Sequence, residues 1–128
     1  MAVTHQPVAI TRAHAATDLL HGHFEPIPRW AKAGADIILG GHLHLPYVLA
    51  LHQKIADLPR SLWAIQAGTA VSSRVRHEAG NSVNLIRYNE QGGQRREAVI
   101  ERWDYVACEM RFRAVEINKL DIDLMTKP

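Results

Sequence analysis

The chain has 128 residues, of which 47% are hydrophobic and 22% are charged, and its formal net charge at neutral pH is +2. These values are typical of a folded domain and argue against a disordered chain. No apolar run approaches the length of about 18 residues that a membrane-spanning helix needs, and the N-terminus lacks the pattern of a secretory signal.

The single cysteine, Cys108, excludes an internal disulfide and suits a reducing compartment. We therefore expect a cytoplasmic protein with no membrane partner, in which residues 1–120 form one domain and residues 121–128 a loose tail.

The mild positive charge does not by itself indicate a nucleic-acid partner. The arginines gather in three short groups, which are Arg74 and Arg76, Arg95 and Arg96, and Arg111 and Arg113. Arginines at alternate positions of a strand lie on one face, which is usually a solvated face. We do not expect nucleic-acid binding.

The first elements are a short strand, a loop and a helix. A short β-prone run ends in His5, just before a proline that stops the strand. Residues 9–24 have no clean periodicity apart from a short helical turn through 13–20. Residues 26–33 are typical of a short helix, since prolines are tolerated in its first turn and Gly34 ends it.

The next element is the most informative stretch of the chain. Residues 35–44 contain a short apolar run that ends in two glycines, followed by His42 and His44. This run predicts a buried strand, and its carboxyl end is where open α/β sheets place their ligands. Because His5 also follows a strand, the two strand ends could lie side by side and bring three imidazoles to one metal site. A histidine at a strand end also serves as an ordinary hydrogen-bonded residue, so a structural role stays open.

The remainder of the chain predicts an antiparallel series that joins this α/β unit. The expected elements are an edge segment at 46–51, a turn at 57–60, strands at 62–67 and 82–89, a hairpin turn at 91–93, and strands at 95–106 and 112–117. We therefore predict an α/β fold in which a helix flanks a β-sandwich.

Two blocks of this sequence resemble a known family. The run Val3-Thr4-His5-Gln6-Pro7 and the later run Gly40-Gly41-His42-Leu43-His44 resemble the last two signature blocks of the calcineurin-like metallophosphoesterases. Residues 65–74 and 81–86 also resemble the strands that close that fold. The resemblance spans roughly residues 1–105. It implies the C-terminal half of a two-sheet β-sandwich flanked by helix, which is a four-layer α/β/β/α arrangement when complete.

The resemblance also implies a chemistry. By it, His5 and His42 would bind one divalent metal ion and His44 a second ion, with Mn, Fe or Zn as candidate metals. The reaction would be hydrolysis of phosphomonoesters or phosphodiesters. A loop that follows the first block contributes to the active site in this family, so His14 and His23 would contact the phosphoester substrate. We expect the same of Arg74, although all three are equally explained as exposed residues.

Several blocks of the family have no counterpart in this sequence. These are an N-terminal Asp-x-His, a Gly-Asp with its bridging aspartate, and a Gly-Asn-His. The resemblance thus implies an incomplete dinuclear site in the C-terminal portion of a phosphoesterase, which we expect to be inactive alone. The alternatives are a non-catalytic module that binds a metal or a partner, and a subunit that completes a site with a separate N-terminal half. An unpaired edge at the first strand would favour self-association or binding to a second polypeptide.

Overall fold

The structure is a computed structural model that describes residues 1–11, 18–22, 24–89 and 96–122, and it has two β-sheets and one α-helix. The elements in chain order are β1 (Ala2–Val3), α1 (Pro26–Lys32), β2 (Ile37–Gly40), β3 (Tyr47–Ala50), β4 (Trp63–Gln66), β5 (Ser82–Asn89), β6 (Glu97–Val106) and β7 (Arg111–Asp121). The predicted mixed α/β class is confirmed.

The first sheet has the strand order β1-β2-β4-β3. Its first three strands are parallel, with Ile38 of β2 opposite Ala2 on one side and Ala64 on the other. Strand β3 is antiparallel to β4 and forms one edge, as expected for the segment 46–51. Because parallel strands end at the same edge of a sheet, β1, β2 and β4 deliver the residues that follow them to one place.

Helix α1 covers one face of this sheet. Two prolines lie in its first turn, and the chain leaves it through Gly34, whose φ of +95° is a conformation that glycine adopts without strain. The predicted helix at 26–33 is thus confirmed. Ile27 and Ala31 of the helix are fully buried, and they pack with Ile38 in a core on this side of the sheet. Burial of these apolar side chains fixes the helix against the sheet.

The second sheet is antiparallel, in the order β5-β6-β7. It packs on the other face of the first sheet through a core made of Ile37, Ile65, Ala98, Ile100, Leu120 and Ile122. Strand β2 therefore contributes Ile37 to this core and Ile38 to the helix-side core. A strand buried on both faces requires a continuous apolar run, which is what residues 37–39 provide.

The end of the chain differs from the expectation. Strand β7 extends to Asp121, well beyond the predicted 112–117, and Ile122 is fully buried in the core between the sheets. The first two residues of the expected tail therefore belong to the fold, because β7 pairs with β6 as far as Glu97. The rest of that tail, at 123–128, and the predicted hairpin turn at 91–93 lie outside the described residues.

No α-helix in the described segments has the length and apolar character needed to cross a bilayer.

The half-buried phenol of Tyr47 gives a pH-dependent prediction. Its hydroxyl donates a hydrogen bond to the Ala9 carbonyl oxygen at 2.7 Å, and burial raises the pKa of Tyr47 from 10.0 to about 12. The unfolded chain loses this proton at a lower pH than the folded chain. The stability that Tyr47 contributes is therefore complete below pH 10.0 and is lost as the pH rises to about 12.

Tyrosinate absorbance, recorded for the wild type and for Tyr47→Phe, measures this pKa directly. The ionisation of Tyr47 is present in the wild type and absent from Tyr47→Phe, and we expect its midpoint at about pH 12. A missing step at the ordinary tyrosine pKa of about 10 would contradict the burial of this phenol.

Candidate metal centre

The ends of β1 and β2 place His5 beside the glycine turn. The amide of Thr4 donates to the Leu39 carbonyl oxygen at 2.8 Å, and the amide of Gly41 donates to the His5 carbonyl oxygen at 3.0 Å. These bonds continue the parallel ladder past the ends of both strands. The prediction that two histidine-bearing strand ends lie side by side is confirmed.

Gly40 is required by the close approach of the neighbouring strand. A Cβ atom at this position would lie 2.5 Å from the side-chain oxygen of Gln66, the last residue of β4. Gln66 is buried, and its amide nitrogen donates a hydrogen bond to the Gly41 carbonyl oxygen. The third parallel strand thus holds the glycine turn through a side chain that fits only beside a residue without a Cβ.

The turn that follows holds both histidines in an unusual backbone conformation. His42 has φ of 71° and His44 has φ of 55°, which are left-handed backbone values that residues other than glycine rarely adopt. The amide of Leu43 donates to the Gly41 carbonyl oxygen at 2.8 Å, so the turn closes over His42. Leu43 itself is buried. Its burial anchors the turn, and the strain at His42 and His44 is of the kind that clusters at functional sites.

The imidazoles of His5 and His42 meet above the strand ends. Nε2 of His5 lies 3.2 Å from Nδ1 of His42, and the two rings make an edge-to-face contact with centroids 5.0 Å apart. Two nitrogen ligands of a tetrahedral zinc ion, each about 2.0–2.1 Å from the metal, lie about 3.4 Å from one another. The observed spacing therefore fits a shared ion as well as it fits a direct hydrogen bond.

The carboxylate of Asp18 lies on the side of the His42 ring opposite His5. Oδ1 of Asp18 lies 3.8 Å from Nε2 of His42, which is the ring nitrogen that faces away from His5. This separation is longer than a hydrogen bond, so Asp18 places a negative charge near His42 without a direct bond to its ring. Sequence reasoning missed Asp18, because a single aspartate in a segment without periodicity carries no spacing signal.

His44 lies on the other side of the turn from this pair. Its Nδ1 is 2.9 Å from the Arg74 carbonyl oxygen. A carbonyl only accepts, so Nδ1 carries the proton and Nε2 is left with a lone pair. This is the tautomer that a histidine needs to bind a metal through Nε2.

The structure thus joins His5 to His42 and ties His44 to the segment that holds Arg74. Within the described part of the chain, no three His, Cys, Asp or Glu residues lie close enough together to hold a metal ion. Two other candidates from the sequence, His14 and His23, lie outside the described residues.

The segment 72–76 runs alongside the turn. The Arg74 amide donates to the hydroxyl oxygen of Ser72 at 3.0 Å, and the Arg74 side chain is exposed. Arg76 reaches the turn directly, because its Nε donates to the Leu43 carbonyl oxygen at 2.8 Å. The surface between the turn and this segment forms a cavity of about 430 Å³.

No protein-family model matches the chain, and none of the curated proteins is significantly similar to it.

Proposed function

We propose that this chain contributes the histidine ligands of a metal-dependent phosphoesterase, as the C-terminal portion of a calcineurin-like metallophosphoesterase. The observation that carries the proposal is the separation of 3.2 Å between the nitrogens of His5 and His42 at adjacent parallel strand ends. The sequence resemblance assigns these two residues to one ion and His44 to a second ion. The spacing suits the first assignment, and the free Nε2 of His44 suits the second.

In this proposal, some residues of the chain would bind the metal ions and others would position the residues that bind them. Divalent ions polarise the phosphoryl oxygens and make a bound water acidic enough to attack phosphorus at neutral pH. His5 and His42 would bind one ion, with the negative charge of Asp18 close to His42. The strained turn would hold His42 and His44 at a fixed separation, and the hydrogen bond from Gln66 would keep that turn in place. Such fixed geometry is what metal sites require of the protein.

Charge limits what these residues can do by themselves. Neutral imidazoles bring no negative charge to offset two divalent ions, and Asp18 is the described carboxylate that lies near the pair. We therefore propose that the histidines of this chain bind an ion more weakly than a complete site would, and that the chain alone turns over little substrate. A partner polypeptide with further carboxylates would fit at the outer edge of β1, where Val3 is 72% exposed.

A second candidate function is a metal-binding module without catalysis. The shortage of carboxylates around the pair favours it, because a single ion needs only a few neutral ligands whereas a bridged pair of ions needs a bridging oxygen ligand. The two candidates predict the same metal binding and differ in hydrolysis.

Metal binding tests both candidates. We expect the purified chain to bind Zn²⁺, and also Co²⁺ with the intense visible absorption of a tetrahedral site, at about one ion per chain. His42→Ala is expected to weaken binding by at least about tenfold, because it removes one of two paired ligands. The control is His77→Ala, which removes an exposed histidine from the same chain.

Hydrolysis separates the candidates. Weak activity on p-nitrophenyl phosphate or its bis ester that exceeds the rate with Mn²⁺ in buffer and fails in His42→Ala supports the phosphoesterase, whereas metal binding with hydrolysis no faster than that of Mn²⁺ in buffer supports the module. A wild type that binds no metal, or equal binding by His42→Ala and the wild type, would overturn both.

A further inference from the structure

The cavity beside the histidine turn has the properties of a second binding site. Its lining consists of His42, Leu43, His44, Arg74, Val75 and Arg76. Its volume of about 430 Å³ lies in the range of small-molecule sites and is more than a single phosphate would fill. The ligand chemistry therefore has to account for two arginines and for space beyond one phosphoryl group.

Arg76 is fixed in position by the turn. Its Nε donates to the Leu43 carbonyl oxygen, which lies between the two histidines. A guanidinium has five N–H donors, so four remain on the two Nη atoms after this bond. An arginine held through Nε presents those Nη donors as a rigid fork, which matches two oxygens of one phosphate.

Arg74 lies at the same cavity and is fixed through its backbone. Its carbonyl oxygen faces Nδ1 of His44, and its amide donates to Ser72. The Arg74 side chain is exposed. The same histidine that we propose as a metal ligand thus holds the backbone of Arg74 at the cavity.

Arg74 and Arg76 differ from six other described arginines in having no ion pair among the described residues, a property that they share with Arg29. None of the ion pairs among the described residues involves Arg74 or Arg76. Six other arginines each pair with a carboxylate, and these are Arg60, Arg87, Arg96, Arg102, Arg111 and Arg113. Two like charges at one cavity repel one another, and a bound anion would offset that repulsion.

We propose that this cavity binds a second phosphoryl group of the substrate, next to the one that reacts at the histidines. The substrate class is then phosphoanhydrides and other compounds with two neighbouring phosphoryl groups. Arg76 would bind the second group through its Nη donors, and Arg74 would add the second positive charge. This assignment rests on the proposed phosphoesterase function.

Binding of methylenediphosphonate, a diphosphate analogue whose P–C–P linkage resists hydrolysis, tests the cavity without any turnover. Calorimetric titration of the EDTA-treated chain is expected to give binding at least about tenfold tighter than that of inorganic phosphate, because both arginines are engaged. Arg76→Gln should weaken binding by at least about tenfold. Arg76→Lys should recover only part of the loss, since an ammonium group is a point charge without the planar fork.

Two further variants keep the result interpretable. Arg74→Gln changes an exposed side chain and leaves the backbone contacts of residue 74 in place, so it reports on the cavity even if Arg76→Gln unfolds the turn. Arg111→Gln is the matched control, because Arg111 is an exposed arginine at the start of β7 that pairs with Glu109. Equal weakening in Arg111→Gln, or unchanged binding in both Arg74→Gln and Arg76→Gln, would overturn the proposal, as would binding no tighter than that of phosphate.

The outcome is separable from that of the metal experiment. Arg74→Gln, which leaves the backbone contacts of residue 74 in place, is expected to bind Zn²⁺ as the wild type does. Metal binding that depends on His42, together with diphosphonate binding that ignores Arg74 and Arg76, would remove the cavity proposal alone. Diphosphonate binding that depends on the arginines in a chain that binds no metal would remove the phosphoesterase function, and with it the assignment of the cavity to a substrate.

Discussion

Replacing Asp36 with alanine is expected to lower the free energy of unfolding by about 2 to 3 kcal/mol, because it removes a buried carboxylate and leaves the partly buried Arg60 without its charged partner. Oδ1 of Asp36 lies 2.8 Å from Nη1 of Arg60, and Oδ2 lies 3.5 Å from Nη1 of Arg96. Nη1 of Arg60 also donates to the Gly34 carbonyl oxygen at 3.1 Å. The carboxylate thus joins the end of α1, the turn before β4 and the start of β6. Denaturant unfolding measures the change.

The control for this variant is an exposed ion pair of the same type. Glu109 pairs with Arg111 at 2.6 Å in the connection between β6 and β7. Glu109→Ala is expected to cost about 1 kcal/mol or less, because solvent screens exposed pairs. Similar losses for Asp36→Ala and Glu109→Ala would show that the Asp36 cluster is not a buried ion pair.

Ile100→Ala is expected to cost about 3 kcal/mol of unfolding free energy, because it opens a cavity between the two sheets. Ile100 is 1% exposed and lies at the centre of β6, where it packs with residues from both sheets. This core joins the two sheets, so the loss should appear as a lower midpoint of cooperative unfolding. Chemical denaturation followed by tryptophan fluorescence measures it.

An isoleucine on the neighbouring strand provides the comparison. Ile117 of β7 is 62% exposed, and Ile117→Ala removes the same atoms from a solvated position. We expect it to cost less than about 1 kcal/mol. If the two variants were equally destabilised, Ile100 would not be in the core to which the structure assigns it.

The apolar periodicity of the sequence predicted much of the fold. The helix and the strands at 82–89 and 95–106 were predicted close to their observed positions, because runs of apolar residues and glycine or proline stops mark them clearly. Strand β7 was predicted too short, because its last four residues are polar except for Leu120, the one buried residue among them. A single apolar residue among polar ones does not give an alternating signal in the sequence.

The sequence predicted those site residues that directly follow a strand, but not those whose role depends on contacts between distant segments. Two strand ends with histidines, residues 1–5 and 35–44, indicated His5, His42 and His44 as neighbours at one sheet edge. Gln66 was missed because its role depends on β4 lying next to β2, a pairing between distant segments. The bond from Arg76 to the Leu43 carbonyl was missed for the same reason. Contacts across the sheet order leave no periodic signal in the sequence.

The short first strand has a consequence for the entropy of the chain. Strand β1 has only two residues and one neighbour, yet it delivers His5 to a partner 37 positions away in sequence. An ion shared by His5 and His42, as proposed, would close that loop as a covalent cross-link does. Such closure removes conformations from the unfolded chain and is worth about 4 kcal/mol for a loop of this length. The metal ion would then stabilise the position of the first strand in addition to its role in the reaction.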